Sequence, residues 1–329
     1  MTRGLGSFLL AAAVFAQPDH LPIGEIEFYG YAGLDLHAKR AALPVHEGDE
    51  VSEEQIPALI DRIKQALQAT SVEAVCCDGQ SRLMLYIALR GESARDVTYN
   101  PAPKGPARFP PAVVELDGQF SEALSQALGK GATAEDQSQG YAVSVDPALR
   151  AKQMAERDYA VGHGGLIRRV LESSSDAGQR AIAAHLMGYA VQSRAQIAAL
   201  VKASHDPDAD VRNHATRALW VLAASSADRA ARIPADGFLD MLYSRSWTDR
   251  NKASLLLEAL TRKRDPRLLR SLRAEALDAL LEMARWRNAG HAYAPRLILG
   301  RIAGIEEVRL ATLVEAGDVG PILEALAVK

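Results

Sequence analysis

A short pattern recurs in the C-terminal half of this chain and restricts the fold more than any other feature. Asp208, Val211, Arg212, Ala215, Ala218 and Leu219 follow Pro207 at helical spacing. Pro207 stops one apolar helix, and the Asp208 carboxylate is suited to accept the first free N–H groups of the next. Val211, Ala215, Ala218, Leu219 and Leu222 then form a single apolar stripe. Asp176, Arg180 and Ala183 hold the matching positions one repeat earlier. A looser copy begins at Trp247-Thr248-Asp249-Arg250, with Ala253, Leu256, Leu257 and Leu260 on its stripe. A period of roughly 30 to 40 residues in helix pairs is the signature of an α-solenoid. Composition agrees: hydrophobic residues make up 48% of the chain and aromatics only 5%. That balance suits helices packed closely through Ala and Leu, and disfavours a β-sandwich or barrel.

The copies resemble HEAT repeats. The residues at that family's D-x-x-V-R-x-x-A-x-x-A-L positions are Asp208, Val211, Arg212, Ala215, Ala218 and Leu219. The resemblance implies a stack of helix pairs over 147–329, in which Ala215 and Ala218 permit close approach, and Arg212 with the acidic turn satisfies groups between repeats. Asp265-Pro266 reads as a helix start, with the helix continuing to about Arg287. Further helical pieces are expected over 294–302 and 322–326.

Residues 21–91 read differently. Ile26 and Phe28 alternate with Glu25 and Glu27, the period of a half-buried strand. A short helix is expected over 34–43, ended by Pro44. Ser52 and Gln55 have capping-box spacing, and Ile56, Leu59, Ile60, Ile63 and Leu67 share one helix face. Pro57 lies later than proline prefers, so an irregular first turn is expected. A strand over 72–77, a two-residue turn at Asp78-Gly79 and a strand around Leu83–Leu89 complete a β-α-α-β-β order. The fold class is therefore an α+β N-terminal module followed by a mainly α, HEAT-like helical-repeat solenoid.

The module resembles a POTRA domain, the polypeptide-transport-associated unit of exported bacterial proteins. The resemblance rests on Gly24-Glu25-Ile26-Glu27-Phe28-Tyr29-Gly30, on Gly48-Asp49-Glu50-Val51-Ser52, and on the order of elements. It implies a non-catalytic module that binds polypeptide by pairing a strand to an exposed sheet edge. The edge it implies here is Val72, Glu73, Ala74, Val75, Cys76 and Cys77. The two cysteines read as buried thiols in that strand.

Residues 92–146 form a linker rich in proline, with Pro101, Pro103, Pro106, Pro110 and Pro111. Short strands are expected over 112–116 and 141–145, a helix over 119–128, and a loop carrying Glu135-Asp136. The first residues have a basic Arg3, an apolar run and small residues at Val14 and Ala16. This is the layout of a secretory signal over 1–16, and it predicts a periplasmic or secreted protein.

No catalytic motif is present: neither G-x-S-x-G, H-E-x-x-H, a P-loop nor G-x-G-x-x-G occurs. Gly162-His163-Gly164-Gly165 reads as a helix corner. His185, His205, His214 and His291 lack metal-ligand spacing and read as structural. Trp220, Trp247 and Trp286 read as packing residues. No catalytic, cofactor or metal residue is assigned. A net charge of -3 argues against a nucleic-acid binder, and no apolar run suggests an integral membrane protein. The reading is an envelope interaction scaffold for protein or extended polypeptide. The alternatives are a hydrolase-like enzyme with a site near 129–165 and a nucleic-acid-binding helical-repeat protein.

Overall fold

The computed structural model describes residues 20–327 apart from residue 133, so the signal-segment reading lies outside the described residues. A small mixed sheet with two helices precedes a region that is mainly helical. The first part comprises β1 (Leu21–Tyr29), α1 (Leu36–Ala41), β2 (Glu50–Val51), α2 (Ile56–Leu67), β3 (Ser71–Val75) and β4 (Leu83–Ala88). The sheet order is β2-β1-β4-β3, with β1 parallel to β4 and the other pairs antiparallel. Asp35 caps α1 through its carboxylate. A 3-10 turn at Glu53–Gln55 precedes α2, so Pro57 falls in that helix's first turn, where no N–H is needed.

The elements that follow are α3 (Pro111–Gly129), β5 (Glu135–Asp136), β6 (Val143–Ser144), α4 (Pro147–Ser173), α5 (Ala177–Tyr189), α6 (Arg194–Ala203), α7 (Ala209–Ser225), α8 (Ala227–Ala230), α9 (Asp236–Met241), α10 (Trp247–Thr261), α11 (Pro266–Glu275), α12 (Leu277–Ala284), α13 (Ala289–Ile302), α14 (Glu307–Glu315) and α15 (Gly320–Ala327). The expected strand over 112–116 is instead the first half of α3. Pro111 suits a helix start, and Val113, Phe120 and Ala127 are buried at helical spacing. The expected helix from Asp265 to Arg287 is broken at Ala276 into α11 and α12. Gly162–Gly165 hold the expected corner: two helical stretches meet within α4 at a kink at His163, where φ is -125° and ψ 20°. β6 falls within the strand expected over 141–145, and it pairs in a small hairpin with β5, which forms where a loop is expected.

The two faces of the N-terminal sheet enter different cores. Ile26, Phe28, Leu85 and Ile87 pack with Leu59, Ile63 and Leu67 of α2. Tyr29, Met84, Tyr86 and Ala88 join the continuous core of the helical region. This second face meets α10, α12 and α13 and the turn that carries Trp286. Tyr86 stacks on Trp247 at 4.7 Å and meets Trp286 edge-on at 5.1 Å. Trp286, 1% exposed, donates from its indole N–H to the Phe28 carbonyl at 3.2 Å.

Glu282 is the polar centre of this junction. Its carboxylate accepts from the backbone N–H groups of Gly30, Tyr31 and Ala32 at 2.7, 2.8 and 3.1 Å, and from Ser93 Oγ. Arg250 pairs with it at 3.5 Å and lies over the Tyr29 ring. The turn that presents these three N–H groups needs Gly30, whose φ is 68° and whose Cβ would meet the Leu89 carbonyl at 2.8 Å. Arg287 extends the junction to Glu27 at 2.8 Å and Glu47 at 2.5 Å.

Helices α5, α7, α10 and α13 pack in succession. Arg180, Arg212 and Arg250 sit at one position of the first three, four residues after the caps Asp176, Asp208 and Ser246. Each donates to a carbonyl six residues earlier, on Ser174, Asp206 and Ser244. Each also pairs with a buried acid from further along the chain: Arg180 with Asp206 and Arg212 with Asp249 at 2.8 and 2.9 Å, and Arg250 with Glu282. The guanidinium thus ties the turn before its own helix to the following helix pair. Val211, Ala215 and Leu219 are fully buried between these layers, as is Ala183 on α5, and Ala218 is buried with them at 7% exposure.

Candidate functional site

Two places stand apart from this packing: the longer of the sheet's two edges, opposite the two-residue β2, and a buried acid–histidine cluster. The edge is β3, which pairs with β4 on one side and with no strand among the described residues on the other. Its side chains alternate as a strand requires. Val72 and Ala74 join the α2 core, and Val75 packs against the helical region. Glu73 turns the same way and caps α10. Its carboxylate accepts from Trp247 N at 2.6 Å, Thr248 N at 3.3 Å and Thr248 Oγ1 at 3.0 Å. Burial pushes the Glu73 carboxyl up, opposed by these hydrogen bonds. Both faces of β3 are therefore occupied, and its outer backbone is what remains for a partner.

The predicted edge strand extended through Cys76 and Cys77. The ladder instead ends at Val75, opposite Met84. Cys76 and Cys77 lie beyond it and are exposed, not buried. The turn is organised by Asp78, whose carboxylate accepts from Gln80 N at 2.8 Å and Arg82 N at 3.0 Å and pairs with the Arg82 guanidinium. A side-chain-held loop replaces the two-residue turn that Asp78-Gly79 suggested.

The cluster lies where α3, α4 and α5 meet. Glu156 of α4 is 0% exposed, and its Oε2 lies 2.9 Å from His185 Nε2 on α5. Its other oxygen, Oε1, is buried without a hydrogen-bond partner. Asp117 of α3 stands beside them, half-buried. Burial disfavours every charge here: it pushes the Glu156 carboxyl up to about 9, the His185 imidazole down to about 4, and the Asp117 carboxyl up. The Glu156–His185 pair consequently keeps one proton between its two members across the neutral range.

Polar groups continue from the cluster along the inner helices. His185 and His214 are ring neighbours at 5.3 Å, and Arg217 pairs with Glu135 of the small hairpin at 2.5 Å. Burial lowers His214 to about 3, reinforced by His185 and Arg217. Lys252 of α10 is lowered to about 8 by burial and by Arg217, against the opposing Glu135.

His163, the focus of the enzyme alternative, is exposed. It stacks on Tyr159 at 4.1 Å and hydrogen-bonds that residue's carbonyl at 2.9 Å. Asp136 caps its own turn by accepting from Ser138 N. His163 and Asp136 are thus engaged locally, whereas Glu135 reaches Arg217 of α7. The cluster that does converge escaped notice because its members come from three helices, with no spacing to announce them. Trp247 and Trp286, by contrast, serve as the packing residues they resembled.

No protein-family model matches the chain, and no curated protein matches it. Among the described residues, no helix is long and apolar enough to cross a membrane.

Proposed function

We propose that the protein is a non-catalytic scaffold of the cell envelope that binds an extended polypeptide at the outer edge of β3. In this reading, residues 21–91 are a POTRA-like module and the helices from α4 onward are a HEAT-like solenoid that offers a second, broader surface. The observation that carries the proposal is the position of β3: it ends the sheet order while both of its faces are filled. A partner gains main-chain hydrogen bonds there without displacing packed side chains. The recurring arginines with their i−6 carbonyl bonds and buried acids support the repeat reading, because one polar device serves successive helix pairs.

The test is site-specific photo-crosslinking of the full chain in the native envelope. Probes are placed at Ser71, where the edge begins, at Gln80, in the turn beyond its end, and at the distant, 73% exposed Val308. Adducts from Ser71 and Gln80 are expected to map to one short segment of a single polypeptide, with none from Val308. Equal yields at all three positions, or adducts scattered over unrelated sequences, would contradict strand pairing.

A further inference from the structure

We propose that Asp117, Glu156 and His185 bind one divalent first-row transition-metal ion, which fastens α3 to α4 and α5. The donor atoms of the three side chains all lie within 4.8 Å of one another. His185 Nε2 and Glu156 Oε2 are 2.9 Å apart. Two donors about 2.1 Å from one ion and at right angles to each other are separated by about 3.0 Å, so this pair already has the spacing of adjacent ligands.

The second observation is the unpartnered Glu156 Oε1. A fully buried carboxylate oxygen without a donor is costly, and buried polar groups are rarely left so. An ion that Glu156 holds through both carboxylate oxygens supplies the missing partner. It also explains why two carboxyl groups and an imidazole converge in surroundings that include the Phe120 ring, 4.4 Å from the His185 ring.

The donor set selects the class of ion. Ca²⁺ and Mg²⁺ favour all-oxygen shells, and Cu(I) favours sulfur. Two carboxylates with one imidazole suit Zn²⁺, Mn²⁺, Fe²⁺ or Co²⁺, with coordination positions left for water. Asp117 is the one half-buried member and marks the side from which the ion enters. The inference is independent of polypeptide binding at β3, and its failure leaves that reading untouched.

The test is titration of the metal-stripped full chain with Co²⁺, followed by its visible absorption, and with Zn²⁺ by calorimetry. One ion per chain is expected, with a cobalt spectrum of nitrogen and oxygen ligation. Asp117→Asn, at a half-buried position that leaves folding intact, is expected to weaken binding more than about 100-fold, beyond the loss typical of an outer-shell contact. Glu156→Gln, with helicity checked by circular dichroism, is expected to remove the cobalt spectrum. His163→Gln, at an exposed histidine, should change nothing. Absence of binding by the wild-type chain at about 1 mM of either ion, roughly the weakest specific affinity worth assigning, would overturn the proposal. So would binding that survives both Asp117→Asn and Glu156→Gln.

Discussion

Two junctions attach neighbouring pieces to the helical region, and they treat buried charge in opposite ways. Where the N-terminal sheet meets α10, α12 and α13, Glu282 is surrounded by three backbone N–H groups, Ser93 and Arg250. Where α3 meets α4 and α5, Glu156 has His185 on one oxygen and nothing on the other. A fully satisfied acid fixes the geometry of what it joins, because each alternative leaves several groups unpaired. A half-satisfied one contributes little to fixing the fold and is open to a ligand. The first junction therefore fixes the end of β1 on the helices, while the second is where we propose a metal ion binds.

Substitutions separate the two. The largest effect is expected from Trp286→Ala, which empties the centre of the sheet–helix contact. Urea unfolding should show a loss of about 3–5 kcal/mol, as for other buried tryptophans. A loss below about 1 kcal/mol would mean that the sheet contributes little to the helical core. Glu282→Gln comes next. It removes the charge opposite Arg250 and turns an N–H group toward backbone donors, at a cost of about 2–4 kcal/mol. The same change at Glu156 keeps a neutral group in an apolar site, and in metal-free protein should cost less than about 1 kcal/mol. Equal costs for the two glutamates would erase the distinction between the junctions.

Titration gives a further contrast. His185, His214 and His291 stay neutral in the folded chain down to about 4, 3 and 4, against an ordinary value of 6.5. The unfolded chain takes up protons first, so the stability associated with these neutral imidazoles is present above pH 6.5 and lost as pH falls toward 4. Glu156 has the opposite sign. Its folded carboxyl stays protonated up to about 9 against an ordinary 4.5, so its contribution is present below 4.5 and lost as pH rises toward 9. Three imidazoles outweigh one carboxyl below pH 6.5, and above it the carboxyl acts without them. Thermal melts of the metal-free chain should show a maximum near pH 6.5, a steep acid arm and a gentle alkaline one. His214→Gln should flatten the acid arm, and an unchanged melting temperature from pH 7 to 5 would refute this account. The smallest effect is expected from Val308→Ser at an exposed helix position, within about 0.5 kcal/mol by the same unfolding assay.

Much of the helical region was legible because its signals are local. Asp176 and Asp208 cap helices, Arg180 and Arg212 follow at fixed spacing, and each apolar stripe has one period. Arg250 stands at the corresponding place in the third copy, after Ser246 where the others have Asp. The order of the small sheet was legible for the same reason, through Ile26, Phe28 and the Ile56–Leu67 face. What escaped was long-range. Glu282 lies among leucines in α12, and nothing near it in sequence announces that Gly30, Tyr31 and Ala32 arrive 250 residues away. Asp117, Glu156 and His185 sit on separate helices, so no motif reports them. Cys76 and Cys77 were assigned to the strand because period alone does not reveal that Asp78 organises the turn early.

Hydrogen–deuterium exchange of the full chain tests most directly the claim that the sheet is locked to the helices while its β3 edge stays open. Amides of β1 and β4 are expected to exchange as slowly as those of α10 and α13, through the same global opening, while the outward-facing amides of β3 exchange much faster. Exchange of β1 and β4 well ahead of α10 and α13, or protection of every β3 amide in the isolated protein, would contradict it.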